Sequence, residues 1–378
     1  MTICFISSDY PESGRPVFTF VKNLVDAIAN LGNKCIVIAP FSITKNKKFH
    51  KQHEVYKTPE GYQVEVYRPN YISVSNYSVF GVNISGYFHR KAVEMTLNTL
   101  KVKPDVIYGH FWVSAYEGYN YARKNNIPLV VASGESVIPQ SIVNRKFSDF
   151  YDYVSGVICV STKNKEESIA KGLTMENKCI VIPNAIDNTI FKKIDKSKCR
   201  LSLGIPNNDF VVISTGSYIH RKGIKRISDA IDLINEKVSS IFIGSGPEEP
   251  TCNNIIFKGR VNNKDLPLYL NAADVFVLPT LNEGCCNAII EAMACGLPII
   301  SSDKSFNWDI LNENNSIMID PMDIQHIADS ILLLKSDNNI RTKLSEGALN
   351  TSSSLTIDKR AERILNYIKT KIKEHGKL

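Results

Sequence analysis

Short runs rich in β-branched residues alternate with amphipathic stretches almost from end to end of this chain, and that alternation limits the possible folds more than any other feature. In the first half the runs are TICFIS (2–7), KCIVIA (34–39), QVEVYR (63–68), DVIYGH (105–110), PLVVAS (128–133), GVICVS (156–161) and CIVIP (179–183). A helical pattern over 17–32 closes on Gly32, as a helix C-terminus should. Continuous apolar strands separated by helices predict a parallel sheet covered on both faces. Residues 184–208 break the pattern with a polar, strand-poor connector. The alternation then restarts with FVVISTG (210–216), SSIFIGSG (239–246), NIIFKG (254–259), DVFVLP (274–279), PIISSD (298–303) and SIMID (316–320). Two such sets predict an α/β chain of two doubly wound, Rossmann-like domains facing across a cleft, over 1–186 and 187–356. The closing stretch 357–378 carries a helical pattern over 357–375 with Ile364, Leu365, Ile368 and Ile372 on one side.

Composition narrows the function classes. A chain of 378 residues has room for two or three domains. With 43% hydrophobic residues it can bury real cores, which excludes disorder. No run approaches the ~18 apolar residues of a membrane span. The start, MTICFISSDYP, lacks a basic leader region and reads as a first strand, so a cytoplasmic protein is expected. The formal charge of +7 favours anionic partners such as nucleotides or an acidic membrane face, and is too mild to specify nucleic acid. Nine cysteines without a CxxC pair fit reduced, buried thiols. No His or Cys cluster has metal-ligand spacing, so no metal is expected.

In doubly wound sheets ligands bind beyond the carboxyl ends of the strands. In the second half the unusual residues fall there. FVVIST is followed by Gly216, Ser217 and then His220-Arg221-Lys222-Gly223; SSIFI by Gly244-Ser245-Gly246-Pro247; DVFVLP by Thr280, Leu281, Asn282, Glu283 and Gly284, opening into a helical pattern over 286–296. Together these turns look like a diphosphate cradle, in which amides and a helix N-terminus accept the anion while Lys222 and Arg221 supply full charges. A glycine at any single turn is as often steric, and GSGPEE is not a GxGxxG fingerprint. Glu283 and Glu291 are separated by seven residues. Glu283 precedes a helix N-terminus, where a carboxylate is favourable. Glu291 sits among Ala288, Ile289, Ile290, Ala292 and Met293, where a carboxylate is costly without a partner such as paired sugar hydroxyls.

The segment 273–303 resembles the Glu-x7-Glu signature of retaining glycosyltransferases of family 4, which have the GT-B fold. Other stretches resemble the same family in the same order: Ser13-Gly14, DVIYGHFW (105–112), VICVSTKNKEESI, VIPNAID with Phe191, TGSYIHRKG, GSGPEE and FKGRV (257–261). The matches span roughly residues 2 to 320. The resemblance implies sugar transfer from a nucleotide-diphosphate sugar with retention of configuration and without metal or other cofactor. Lys222 and Arg221 would neutralise the leaving diphosphate, Glu291 would bind ribose hydroxyls, and Glu283 would contact the transferred sugar beside the amides of Gly284, Cys285 and Cys286. Asn287 would help cap the helix and face the phosphates. Gly14 would let a first-domain loop approach the donor, and Gly216, Ser217, Gly244, Gly246 and Arg260 would line its site. The closing helix would cross back to the first domain.

The chain departs from the family pattern in two places. Ser217 stands where Arg is frequent, with Arg221 in compensation, and Gly134 stands where many members place His. Glu135 is then a candidate near sugar or acceptor, with a capping carboxylate as the alternative. His110 is a further candidate, against a packed histidine. On the acceptor side, the basic run 45–53 and the aromatics Tyr67, Tyr71, Tyr77, Phe80, Tyr87 and Phe88 suggest peripheral contact with an anionic membrane, against a plain solvated loop and core packing. The expected acceptor is a glycan or lipid-linked saccharide, in surface polysaccharide or glycolipid synthesis. A uridine diphosphate sugar is favoured over a guanosine one. The competing readings are a nucleotide-sugar epimerase or phosphorylase of this fold, and a non-catalytic nucleotide-sugar-binding subunit.

Overall fold

The computed structural model describes residues 1–12, 15, 17–44, 50–74, 78–79, 82–143 and 147–376. The chain divides into two units, one of residues 1–160, 164–182 and 358–378, the other of residues 161–163 and 183–357.

The first unit is built on an eight-stranded sheet. Its order is Cys179–Val181, Gly156–Cys159, Leu129–Ser133, Val106–His110, Thr2–Ile6, Lys34–Ile38, Gln63–Tyr67 and His53–Lys57. Seven strands are parallel, and each run read from the first half of the sequence supplies one of them. The eighth, His53–Lys57, is antiparallel to Gln63–Tyr67. Periodicity did not announce it, because its residues alternate between exposed and half-buried on an edge that needs little apolar surface. His53, read as the end of a basic loop, begins that strand.

The central strands Val106–His110 and Leu129–Ser133 are buried at every position, which explains their unbroken apolar runs. Strand order reverses between Thr2–Ile6 and Val106–His110, so the crevice for a ligand lies beyond the carboxyl ends of those two strands. The helix Thr19–Asn30 covers one face with Val21, Leu24, Val25 and Ile28, and Gly32 behind it takes φ +78°. The closing helix Ile357–His375 lies on the outer strands. Its Tyr367 donates to the Lys178 carbonyl at 2.6 Å and accepts from Val157 N at 3.2 Å, while Ile364, Leu365 and Ile368 are buried.

The second unit carries a six-stranded, wholly parallel sheet in the order Ile255–Gly259, Ser239–Ile243, Val211–Thr215, Val275–Leu278, Ile299–Ser302, Ser316–Ile319. Here the order reverses between Val211–Thr215 and Val275–Leu278. The loops after those two strands, 216–223 and 279–286, therefore flank the ligand crevice of this unit.

Gly109 shows how tightly strand and helix meet in the first unit. A Cβ there would overlap the backbone of Ala115 in the following helix, Trp112–Lys124. Gly109→Ala is therefore expected to cost about 3 kcal/mol or more, because backbone cannot step aside as a flexible side chain can. A urea midpoint equal to wild type would show that the helix can shift freely.

Candidate active site

Three turns of the second unit interlock through their glycines. Gly216 N donates to Ile243 O at 2.9 Å and Tyr218 N to Ser245 O at 2.9 Å, which lays the loop after Val211–Thr215 directly on the loop after Ser239–Ile243. A Cβ on Gly244 would overlap the carbonyl of Gly216, and one on Gly246 the carbonyl of Tyr218. Both glycines thus answer first to turn-on-turn packing, the steric alternative weighed for them above. The buried Tyr218, which the sequence reading passed over, pins the pair by donating to Phe242 O at 2.7 Å. Arg260 reaches the same turn, its Nε donating to Ser245 Oγ at 2.7 Å. Ser217 is exposed on the loop.

The charged residues converge on one atom. Glu283 Oε1 takes an ion pair from Lys222 Nζ at 2.6 Å, another from Arg221 Nη1 at 2.6 Å, and a hydrogen bond from Thr280 Oγ1 at 2.9 Å. Glu283 and Lys222 are largely buried; Arg221 is about a third exposed, with side-chain exposure of 36%. Arg221 also donates to the Asn282 carbonyl, and its own carbonyl accepts from Leu281 N at 2.8 Å. The loop bearing the cations is thereby stitched to the loop bearing the carboxylate. Ser302 Oγ supports the second loop from beneath, donating to Thr280 O at 2.6 Å.

Gly284, Cys285 and Cys286 are buried and lead into the helix Asn287–Ala294. One expectation is corrected here. Asn287 does not cap this helix: the N-cap is Cys286, no side chain caps it, and Asn287 Oδ1 instead accepts from Asn184 Nδ2 at 2.8 Å. Asn184 also donates to Cys285 O at 3.1 Å, so VIPNAID holds the approach to the helix, a role its sequence did not signal. Among the described residues the N-cap side chain makes no hydrogen bond to the first helical turn, and the positive end of a helix dipole is receptive to an anion.

Glu291 lies one turn along the same helix, its side chain without an ion pair or hydrogen bond among the described residues. Burial pushes its carboxyl up to about 7. In the first unit, His110 ends its strand buried, and neither ring nitrogen has a hydrogen-bond partner among the described residues. Burial, reinforced by the Arg360 charge, holds its imidazole down to about 3, so it is neutral at ordinary pH. Its ring sits 4.4 Å from Phe111 and 5.4 Å from Phe20, centre to centre. Phe111 (φ 78°, ψ 159°) and Phe18 (φ 52°) are two of four non-glycine residues with positive φ among the described residues. Strain of this kind gathers at functional sites.

Glu135 takes its alternative place. It accepts from Trp112 N at 2.9 Å and Gly134 N at 3.0 Å, capping the helix Trp112–Lys124 from the next loop, so its carboxylate is already committed to backbone. Burial raises its pKa and those amides oppose the rise. Gly14 and residues 45–49 of the basic run lie outside the described residues, as do Tyr77 and Phe80. His50, Lys51, Gln52 and His53 line, with Asn70, a cavity of about 450 Å³. Tyr87 and Phe88 are exposed, while Tyr67 donates to Glu65 and Tyr71 packs edge-on against His89. All nine cysteines are free thiols. Among the described residues no group of three or more His, Cys, Asp or Glu could hold a metal ion, and no helix is long and apolar enough to cross a membrane.

The Glu291 environment makes a stability prediction. The side chain ionises near 4.5 when free and near 7 when folded, so folding favours its protonated form. Its contribution is intact below about pH 4.5 and is lost as pH rises through 7. Glu291→Gln should match wild type in thermal melts at pH 4 and exceed it at pH 8 by on the order of 1–3 kcal/mol. A gap that does not widen with pH would mean that the carboxylate has a partner.

Comparison with known proteins agrees with this layout. Residues 17–189 match the family model described as Glycosyltransferase Family 4, and residues 195–351 match Glycosyl transferases group 1. The chain is 29% identical over 353 residues to a Bacillus subtilis protein named as the teichuronic acid biosynthesis glycosyltransferase TuaC, covering 88% of each chain. It is 23% identical over 372 residues to the N,N'-diacetylbacillosaminyl-diphospho-undecaprenol alpha-1,3-N-acetylgalactosaminyltransferase of Campylobacter jejuni, covering 92% of this chain and 93% of that one. Among solved structures it is similar to Anabaena HepE in complex with UDP, with a TM-score of 0.75 at 18% identity, covering 98% and 100% of the two chains. The fold is GT-B, and the chain belongs to the group 1 and family 4 glycosyltransferases.

Proposed function

We propose that this glycosyltransferase moves a sugar, with retention of configuration and without a metal ion, from a nucleoside-diphosphate sugar to a glycan or lipid-linked saccharide in the synthesis of a surface polysaccharide or glycolipid. The observation that carries the reading is the Lys222–Glu283–Arg221 cluster beside an uncapped helix N-terminus at the carboxyl edge of the second sheet. A pyrophosphate arriving there meets two cations and the positive end of a helix dipole, the groups that stabilise charge developing on a leaving diphosphate. Glu283 holds the two cations together. Donor phosphates take over Lys222 and Arg221, and the carboxylate turns to the hydroxyls of the sugar. Glu291, protonated or ionised near neutrality, is suited to hydrogen-bond the ribose diol. His110, neutral and without a hydrogen-bond partner among the described residues, is suited to a sugar hydroxyl.

The donor we favour carries uridine, a choice supported by the UDP found with HepE. The lipid-linked acceptor is supported by the name of the Campylobacter relative, which includes a diphospho-undecaprenol-linked sugar. A cytoplasmic enzyme touching the anionic inner face of a membrane through the basic segment around Lys51 completes the reading.

Two variants separate the roles. Lys222→Ala should lower both the affinity for uridine diphosphate and donor hydrolysis, the latter by at least about a hundredfold. Glu283→Gln should lower hydrolysis as far while leaving diphosphate affinity equal or tighter, because the competing carboxylate charge is gone. Calorimetry and a coupled hydrolysis assay read the two quantities, and normal turnover in either variant would sink that residue's assignment. Turnover should also persist within about twofold in EDTA, with the anomer of the first product, read by proton NMR, matching the donor.

A further inference from the structure

Arg226 breaks two local rules. It is the third residue of the helix Ile224–Asp232, where the positive end of the helix dipole disfavours a cation. It is also buried, and its Nε has no hydrogen-bond partner among the described residues. Burial lowers its pKa, and Glu248 is the acidic group whose field acts on it in return. No carboxylate pairs with it among the described residues. An arginine placed this way costs stability unless it does something that leucine could not.

What it does is visible in its two donors. Nη1 donates to His220 O at 3.0 Å and Nη2 to Pro279 O at 2.8 Å. The first carbonyl belongs to the turn that carries Arg221 and Lys222, the second to the loop that carries Thr280 and Glu283. The planar fork thus ties together, from beneath, the two loops that Glu283 joins from above. Gly223 makes room for it: a Cβ there would lie 2.6 Å from Arg226 Nη2 and 2.7 Å from Pro279 O. Side chains in the first turn of a helix point back towards its N-terminus, so the guanidinium lies behind the cation turn and away from solvent.

We infer that Arg226 is a positioning residue of the donor site, which fixes the spacing of the Lys222 and Glu283 loops and holds a third positive charge, without an ion-pair partner among the described residues, behind the position of the donor diphosphate. This rests on the donor reading given above and extends it. Lys222, Arg221 and Arg226 together outnumber Glu283 and Glu248, so the cluster keeps net positive charge even while Glu283 occupies it. At a partly buried position such a charge acts over several ångströms without touching the ligand. A substrate whose reacting group is a dianion fits that excess; a neutral glycoside does not.

The test compares two probes, uridine diphosphate and uridine, on wild type, Arg226→Gln and Arg226→Lys. The expected result is that Arg226→Gln weakens uridine diphosphate at least about tenfold, as for loss of a charged interaction, and leaves uridine unchanged within about twofold. Arg226→Lys, which keeps the charge and reaches one carbonyl at most, should recover a large part of that loss in diphosphate affinity. It should still show lower kcat for donor hydrolysis than wild type, because the fork that spaces the loops is gone. If uridine weakens in parallel with the diphosphate, Arg226 is merely structural and the inference is overturned. Equal diphosphate affinity in all three proteins overturns it as well. If wild type binds no nucleoside diphosphate, the donor reading itself falls and takes this inference with it, so the two failures are told apart by the wild-type titration alone. Should Arg226→Gln fail to fold, Arg226→Lys against wild type still decides: diphosphate affinity near wild type with reduced kcat supports the inference, and full activity sinks it.

Discussion

Two cations and a single carboxylate oxygen share the carboxyl edge of the second sheet, and the local architecture is arranged around keeping them together. Lys222 and Arg221 alone would repel each other and any approach of their loop to the neighbouring one. With Glu283 Oε1 between them at 2.6 Å to each, the loops close and the buried lysine has a counterion. Partly buried ion pairs of this kind contribute little net stability, because desolvation offsets the attraction. In the proposed function their value lies elsewhere: the cluster would be preorganised for a donor diphosphate that replaces the carboxylate.

Everything else in that edge serves its geometry. The glycines at 216, 244 and 246 let two turns stack so closely that Tyr218 can lock them from below. Asn184 fixes the chain at Cys285 and Asn287, and in doing so leaves the helix Asn287–Ala294 without a side-chain cap. An uncapped N-terminus is a small loss to the helix and a gain to an anion site, since the positive end of the helix dipole is receptive to an anion. The buried Arg226 fork and the unpartnered Glu291 are costs of the same kind. Local rules of this kind are most often broken near functional sites.

The first unit shows the same economy around His110. Phe18 and Phe111 hold backbone conformations that glycine adopts freely and phenylalanine resists, and their rings flank the imidazole. Glu135, by capping the Trp112–Lys124 helix, holds the turn that carries Phe111. Its carboxylate is therefore structural support for that turn; in sequence it stands out only because it follows Gly134, where many family members place His.

The sequence alone determined the doubly wound sheets, the places where charged and glycine-rich turns must fall, and the family. Hydrophobic periodicity and turn chemistry are local, and a buried parallel strand such as Val106–His110 has few other ways to be written. The edge strand His53–Lys57 escaped because one exposed face imposes no pattern. What only the tertiary structure decided was which residues share an atom. Glu283 and Lys222 are 61 positions apart, and Arg226 reaches a carbonyl 53 positions away, as counted along the chain. Asn184, Tyr218 and Arg226 look unremarkable in sequence because a hydrogen-bond donor acquires its meaning from the acceptor that folding brings to it. Strain at Phe111, the orphaned ring of His110 and the committed carboxylate of Glu135 are likewise invisible beforehand, since burial and backbone geometry are properties of the packed chain.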